Sequence, residues 1–345
     1  MRYFITGHTG FKGSWLTLWL TSEGHEVHGL SLDPEPGSLF ELAEVGELCA
    51  VDQRGDIRDP EVVKAAVKKA KPDVVVHMAA QPLVLDSYKR PRWTMETNVM
   101  GTLNVLEAVG LQADVKALLV VTTDKVYRNI NRREGYIESD PLGGDDPYSA
   151  SKAMADILAH SWSKSFPGAR TAVARAGNVI GGGDVSPDRL LPDIVANLRA
   201  GIVPVLRHPE AVRPWQHVLD CLNGYRTLID RLVIEDQGFE FDDGWNFGPD
   251  ADSFVSVGQV TSKAMIHWGS TGSWTTDSMG KPHEAHLLAL DSTRAKTALG
   301  WRNSLDVGTA IAWTIDWYEA IDAGIPARDA ALRQIEAFQR VRFRL

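Results

Sequence analysis

A short apolar run, YFIT, opens the chain and passes at once into GHTGFKGS, where Gly7, Gly10 and Gly13 stand at steps of three, and then into WLTLWLTSEG. Few sequence features restrict a fold more. Glycine permits a tight turn and close backbone approach, and a strand that turns straight into a helix aims unpaired N–H groups at one spot before the helix. That spot suits the pyrophosphate of a dinucleotide. GxxGxxG alone also describes an ordinary strand–helix turn, and its place at the head of an alternating strand–helix pattern selects the nucleotide reading. For Lys12, inside the turn, two readings stay open: a charge beside the phosphates, or a solvated ammonium.

That pattern continues with HEVHGLSL as a strand, VVKAAVKKAKP as an amphipathic helix stopped at Pro72, and DVVVHMAA as a strand. METNVMGTLNVLEAVG reads as a helix, VKALLVVTTD as a strand, PYSASKAMADILAHSWSKSF as a long helix and ARTAVARAGNVIG as one further strand. The alternation predicts an α/β protein with a doubly wound parallel sheet of the Rossmann type. The near-continuous Val, Ile, Leu and Ala runs are those of strands covered on both faces. Beyond about residue 180 the pattern fades into GGGDVSPDRL and RHPEAVRPWQH, then a helix, DCLNGYRTLIDRL, and a Trp-rich helical end. With 345 residues and no low-complexity linker, the expectation is a smaller, mainly C-terminal α/β substrate domain embedded in the first. The predicted division is 1–175 with 215–248 for the dinucleotide, and 176–214 with 249–345 for the substrate.

Charge and composition exclude several classes. A net charge of −9 gives no general attraction to nucleic acid or to an anionic membrane. No apolar run approaches the roughly 20 residues that span a bilayer, and MRYFITG, with no charged stretch followed by an apolar one, gives the expectation of no signal peptide. Cys49 and Cys221 lie far apart in no metal-binding spacing, so the expectations are a reducing, cytoplasmic location and no metal.

The dinucleotide reading asks for an acid about 20 residues past the turn. Asp33 stands there, either as a ribose contact or as a turn residue before Pro34. No arginine follows HEVHGLSL to meet a 2′-phosphate, which favours NAD over NADP. Asp56 in GDIRD is either a contact to the adenine amine or a helix N-cap, and the two are compatible. TTDKVY places Thr123, Asp124 and Lys125 at the carboxyl end of a parallel strand, where open α/β sheets bind ligands. PYSASK sets Tyr148 and Lys152 one helical turn apart. A free phenol has a pKa of about 10. A nearby ammonium and a positive nicotinamide lower it, so that Tyr148 accepts a proton from a substrate hydroxyl. YxxxK alone also fits the start of a surface helix; its position downstream of the strand and turn favours chemistry.

TGHTGFKG, GDIRD, HMAAQ, TNVMGT, TTDKVY and PYSASK resemble the extended short-chain dehydrogenase/reductase superfamily. Within it, HTGFKGSWL, DPLGGDDPYSASK, ARAGNVIGGGD, RPWQHVL and WNFGP resemble the CDP-glucose 4,6-dehydratase family over nearly the whole chain. This resemblance implies NAD held by Gly7, Gly10, Phe11, Lys12, Gly13, Asp56 and Ile57 on one side. On the other it implies Ala79, Ala80, Asn98, Tyr148 and Lys152. It implies oxidation at carbon 4 of a nucleotide-diphosphate hexose, loss of water across carbons 5 and 6, and return of hydride to carbon 6. Tyr148, Lys152 and Thr123 would serve the oxidation, Asp124 would protonate the departing 6-hydroxyl, and Lys125 would take or help take the carbon 5 proton. The related dTDP-glucose dehydratases carry Asp-Glu where this chain has Asp124–Lys125.

For the substrate, the resemblance implies Gln81, Asn178, Arg189, Arg213 and His217, while Trp215 also fits plain packing. One departure stands out: the family pattern AAQPLVR before SY is here AAQPLVLDSY, with Leu85 and Asp86. Two other readings use the same fold, a nucleotide-sugar 4-epimerase and a non-catalytic NAD sensor. The first has no use for the Asp124–Lys125 pair; the second would not need Tyr148 and Lys152. A homodimer or homotetramer is expected through METNVMGTLNVLEAV and SASKAMADILAHSW.

Overall fold

The computed structural model describes residues 1–132, 134–234, 239, 241, 244–277 and 288–342. Strand β1 (Arg2–Thr6) leads through the glycine turn into α1 (Phe11–Ser22) and β2 (Glu26–Ser31). A short α2 (Leu39–Leu42) precedes β3 (Val51–Arg54), α3 (Pro60–Ala70) and β4 (Val74–His77). Two small helices, α4 (Val84–Lys89) and α5 (Pro91–Met95), run into α6 (Gly101–Gly110). Then come β5 (Ala117–Val121), α7 (Pro147–Ser165) and β6 (Arg170–Ala176). After β7 (Asn178–Ile180), α8 (Leu190–Arg199), β8 (Val205–Leu206) and β9 (Val212–His217), the chain forms α9 (Val218–Val233) and β10 (Gly244–Phe247). It ends with β11 (Phe254–Ser256), α10 (Val257–His267), β12 (Thr275–Thr276), α11 (Thr293–Leu299), α12 (Val307–Asp322) and α13 (Ala327–Arg342).

Among the described residues the main sheet has seven strands in the order β10-β6-β5-β4-β1-β2-β3, every pair parallel. The order reverses direction at β1, which makes the sheet doubly wound as the alternation predicts. One face is packed by Trp15, Leu16 and Trp19 of α1 with Leu222 and Ile229 of α9. The other is packed by Val63 and Val67 of α3 with Val105 and Leu106 of α6. A second sheet, β11-β9-β7, joins β7 to β9 in parallel and β9 to β11 antiparallel; β8 and β12 form a third.

Three elements differ from the sequence expectation, each for a local reason. ARTAVARAGNVIG is not one strand: β6 ends at Ala176, and beyond Gly177 the chain joins the second sheet as β7. A Cβ on Gly177 would come to 3.0 Å from Asp124 Oδ2 and 3.5 Å from Pro214 Cγ, so the crossing is close-packed. METNVMGT is not a uniform α-helix but widens into a π-helical turn over Glu96–Met100. The N-cap of α3 is Asp59, accepting from the amides of Glu61 and Val62; Asp56 lies outside the helix.

Candidate active site

At the end of β1, Gly7 has φ of +79°, a left-handed conformation, and a Cβ there would stand 2.7 Å from the Ala79 nitrogen. Gly13, in the first turn of α1, leaves no room either: its Cβ would meet the Gly7 carbonyl oxygen at 2.1 Å. Gly10 differs. It is exposed, and a Cβ would meet only the Gly7 oxygen, at 3.3 Å. No side chain caps α1 at Gly10, and no acid occupies its first turn. The helix N-terminus therefore opens onto free space with unclaimed donors and no opposing charge, so the residues present fit a dinucleotide diphosphate. Phe11 turns away from that space, its Cζ 3.1 Å from the Cβ position of Gly181. Lys12 follows neither reading in full: it is half-buried and donates from Nζ to the Tyr225 hydroxyl at 3.0 Å.

At the sheet's β2–β3 edge the carboxylate of Asp33 is 90% exposed beyond the end of β2, with Arg54 Nε 3.4 Å away. The arginine sought after β2 is supplied by β3, whose register sets Arg54 opposite Ser31. Asp52 holds that guanidinium in a fork and also takes a 2.7 Å contact from His8 Nε2 in the glycine turn. Asp56 pairs with the side chain and amide of Arg58. Burial pushes its carboxyl up, but the Arg58 bonds outweigh this and leave it below the usual range. Ile57 is buried against Gly101, and its carbonyl accepts from Asn104 Nδ2 at 2.8 Å. Ala79 and Ala80 lie half-buried just past β4, Ala79 donating its amide to Thr6 Oγ1 at 3.2 Å.

Thr123, Asp124 and Lys125 follow β5 directly. Thr123 Oγ1 donates to Asp124 Oδ1 at 2.8 Å and accepts from the Lys125 amide at 3.3 Å. Asp124 is buried, and that burial raises its carboxyl above the usual range against the charges of Lys125 and Arg213 and the Thr123 bond. Facing this turn, the N-terminal half of α7 carries Tyr148 and Lys152. Burial pushes the Tyr148 phenol up to about 12, opposed by the Thr123 hydroxyl and the charge of Arg189, so the chain's own groups do not produce the lowering expected from a neighbouring ammonium. On the next turn of α7, Lys152 donates from Nζ to the Val121 carbonyl at 2.7 Å. Its burial, reinforced by the charge of Lys12, brings its own pKa down to about 7. Asn98 sits in the π-helical turn, where it exchanges bonds with the Gln81 backbone and donates to Ser151 Oγ at 2.8 Å.

The proposed substrate residues separate into two groups. Arg189 and Arg213 act electrostatically on Tyr148 and Asp124, and Asn178 opens β7 opposite Trp215. Gln81 and His217 face inward instead. Gln81 is 2% exposed, with its side chain spent on Leu83 and Thr94. His217 is fully buried, its Nδ1 accepting from the Leu219 amide at the start of α9 and its ring set edge-on to Trp15 and Trp313. Two neighbours of the site carry no signal in the sequence: Ser87, whose Oγ accepts from the Tyr148 amide at 3.2 Å, and Arg54. Only the β2–β3 register would have revealed the arginine.

Fold and site together define a dinucleotide-binding α/β enzyme of the short-chain dehydrogenase/reductase type. Comparison with known proteins narrows the class. The model of the family described as "Epimerase: NAD dependent epimerase/dehydratase family" matches residues 3–239, and the chain belongs to that family. A CDP-glucose 4,6-dehydratase of Salmonella typhimurium is 44% identical over 328 residues, covering 92% of this chain and 90% of that one. A dTDP-glucose 4,6-dehydratase of Streptomyces antibioticus is 33% identical over 330 residues, covering 92% of each. The crystal structure of a dTDP-glucose 4,6-dehydratase from Streptomyces venezuelae, with NAD and TYD bound, superposes with a TM-score of 0.78 at 26% identity, covering 92% of this chain and 97% of that one.

Proposed function

We propose that the chain is an NAD-dependent 4,6-dehydratase that converts CDP-glucose to CDP-4-keto-6-deoxyglucose and water. One observation carries the reading: a buried aspartic acid, Asp124, stands at the end of β5 facing the Tyr148–Lys152 pair of α7. A simple oxidation or epimerisation needs only the pair. Elimination needs, in addition, a group that holds a proton at neutral pH and delivers it to a leaving hydroxyl. Burial raises the Asp124 carboxyl in that direction.

NAD, when bound, supplies the acceptor and the donor of the hydride. The chain does the rest. Gly7, Gly10 and Gly13 open the turn so that α1 directs its N-terminal amides at the diphosphate. Tyr148 takes the proton of the sugar 4-hydroxyl, steadied by Thr123 and by Lys152 beneath it. The new carbonyl at carbon 4 acidifies the carbon 5 hydrogen, which Lys125 removes or helps to remove as Asp124 protonates the departing 6-hydroxyl. Arg189 and Arg213 serve the substrate diphosphate, whose paired oxygens match a guanidinium fork. Residues 1–175 with 215–248 would form the cofactor unit, and 176–214 with 249–345 the sugar unit.

The test is direct. The purified protein is incubated with NAD and, separately, with CDP-, dTDP-, UDP- and GDP-glucose, and each nucleotide sugar is weighed by mass spectrometry. Loss of one water from the CDP sugar alone is the expected result. Loss from another nucleotide keeps the chemistry and moves the substrate. Unchanged mass throughout overturns the reading, and inversion at carbon 4 would then identify an epimerase.

Two further parts of the proposal concern setting. No helix among the described residues is long and apolar enough to cross a membrane, and both cysteines are unpaired, which supports a cytoplasmic enzyme. Met154 and Ile157 project from α7 at 45% and 53% exposure, and Met100 and Leu111 flank α6 at 49% and 68%. These side chains support a second copy of the chain packing against α6 and α7.

A further inference from the structure

Behind the site lies a set of buried polar side chains that neither the glycine turn nor the proposed chemistry uses. Asp156, one helical turn beyond Lys152 on α7, is 1% exposed. It accepts from Thr122 Oγ1 at 3.0 Å and from Arg175 Nε and Nη2 at 2.8 and 2.7 Å. Arg175, on β6, turns its remaining nitrogen to the Tyr127 hydroxyl at 2.8 Å and to the Glu138 carbonyl at 3.1 Å. Tyr127 in turn donates to Asn246 Oδ1, on β10, at 2.7 Å. Thr122 immediately precedes Thr123, and Tyr127 comes two residues after Lys125. Both ends of the segment carrying the Asp124–Lys125 pair are thus tied to one ion pair, rooted in the helix that carries Tyr148 and Lys152.

We propose that Asp156, Arg175 and Tyr127 are positioning residues that hold the Asp124–Lys125 pair in register with the Tyr148–Lys152 pair, and so set how fast elimination follows oxidation. This rests on the dehydratase reading above. A buried ion pair is a poor source of stability, because desolvation offsets its attraction. What the Arg175–Asp156 fork supplies is direction: two parallel bonds fix a plane. Direction is what the chemistry requires. The two pairs must act on neighbouring carbons of one sugar ring, and a displacement of about 1 Å costs on the order of 100-fold in rate. Tyr127 is fixed further by stacking on Tyr136, ring centres 5.3 Å apart and planes 18° from parallel.

The experiment avoids breaking the ion pair, which would strand a buried charge and unfold the protein. Tyr127→Phe and Thr122→Val each remove one hydroxyl, at opposite ends of the segment, and keep the side chain's shape. Each is assayed for water loss from CDP-glucose carrying deuterium at carbon 4 or at carbon 5. The expected result is a kcat lower by about 5- to 100-fold with KM unchanged. The carbon 5 isotope effect on kcat rises and the carbon 4 effect shrinks, as elimination becomes the slow step. The 4-ketone that still carries its 6-hydroxyl accumulates in a single turnover, two mass units lighter than the carbon 5-labelled substrate and three lighter than the carbon 4-labelled one. Tyr136→Phe keeps the wild-type pattern, since its hydroxyl serves Ile130 and Asn129 instead.

A variant that merely loses folded protein lowers the rate and leaves both isotope effects where they were. That result, an unchanged kcat, or a rise in KM alone overturns the inference. If the wild type dehydrates a nucleotide hexose while both variants keep its isotope effects, the inference fails and the dehydratase reading stands. If the wild type removes water from none, both fall.

Discussion

In the proposed reaction Tyr148 and Asp124 would carry opposite chemical duties, and one physical lever acts on both. Burial raises both: the phenol to about 12, the carboxyl above its usual range. For an acid that is an advantage, because the proton is present when the leaving group needs it. For a base it is a burden, which the positive ring of a bound dinucleotide would relieve. Tyr148→Phe should lower water loss from CDP-glucose by about 10²- to 10⁴-fold, the usual worth of a proton-transfer group, with nucleotide-sugar binding retained by calorimetry. Near-normal turnover would remove the phenol from the mechanism. Asp124 makes a prediction in pH. The elimination rate should be full below the raised carboxyl pKa and fall as pH climbs through it, and Asp124→Asn should be slow at every pH and lack that falling limb. A wild-type limb that survives in Asp124→Asn belongs to another group.

Among the elements, α1 shows what a few atoms of space decide. A methyl group on Gly13 would sit 2.1 Å from the Gly7 oxygen. Gly13→Ala should cost about 1–3 kcal/mol, read as a shift in the urea midpoint, and should abolish the rise in Tm that NAD gives the wild type. A variant still stabilised by NAD would place the cofactor elsewhere. This turn was legible from the sequence because all its parts are adjacent, as were the Thr123–Asp124–Lys125 strand end and the Tyr148–Lys152 helix. What the sequence hid is set by distant pairings. Arg54 reaches Asp33 only through the register of β2 with β3. His217 reads as a ligand in RPWQH, yet it starts α9 between two tryptophans. Gln81 is used up by the turn it sits in. The π-helical turn at Asn98 leaves no mark, since one extra residue in a helical turn needs no special residue type. Asp156 and Arg175 stand nineteen residues apart, and nothing local in either segment pairs them.

At the scale of the molecule, α6 and α7 cover one face of the sheet and keep apolar side chains on their outer side. If a second copy seats there, Ile157→Arg should convert the wild-type oligomer to a monomer by light scattering after gel filtration, with the circular dichroism spectrum unchanged. A wild type that is already monomeric would remove that surface from the proposal. The order of the main sheet has a separate consequence, for the chain's own synthesis. β6 pairs with β10 on one side, and residues 177–243 lie between them. At about 5–20 residues per second, a ribosome takes roughly 3–13 s to deliver them. Through that interval β6 presents a bare row of amides and carbonyls, an open edge that invites pairing with another nascent chain. Chains stalled with β10 still inside the exit tunnel should be cut readily by protease near β6, and chains stalled well past it should resist. Slower translation of this stretch should then lower the fraction of the protein recovered in soluble form.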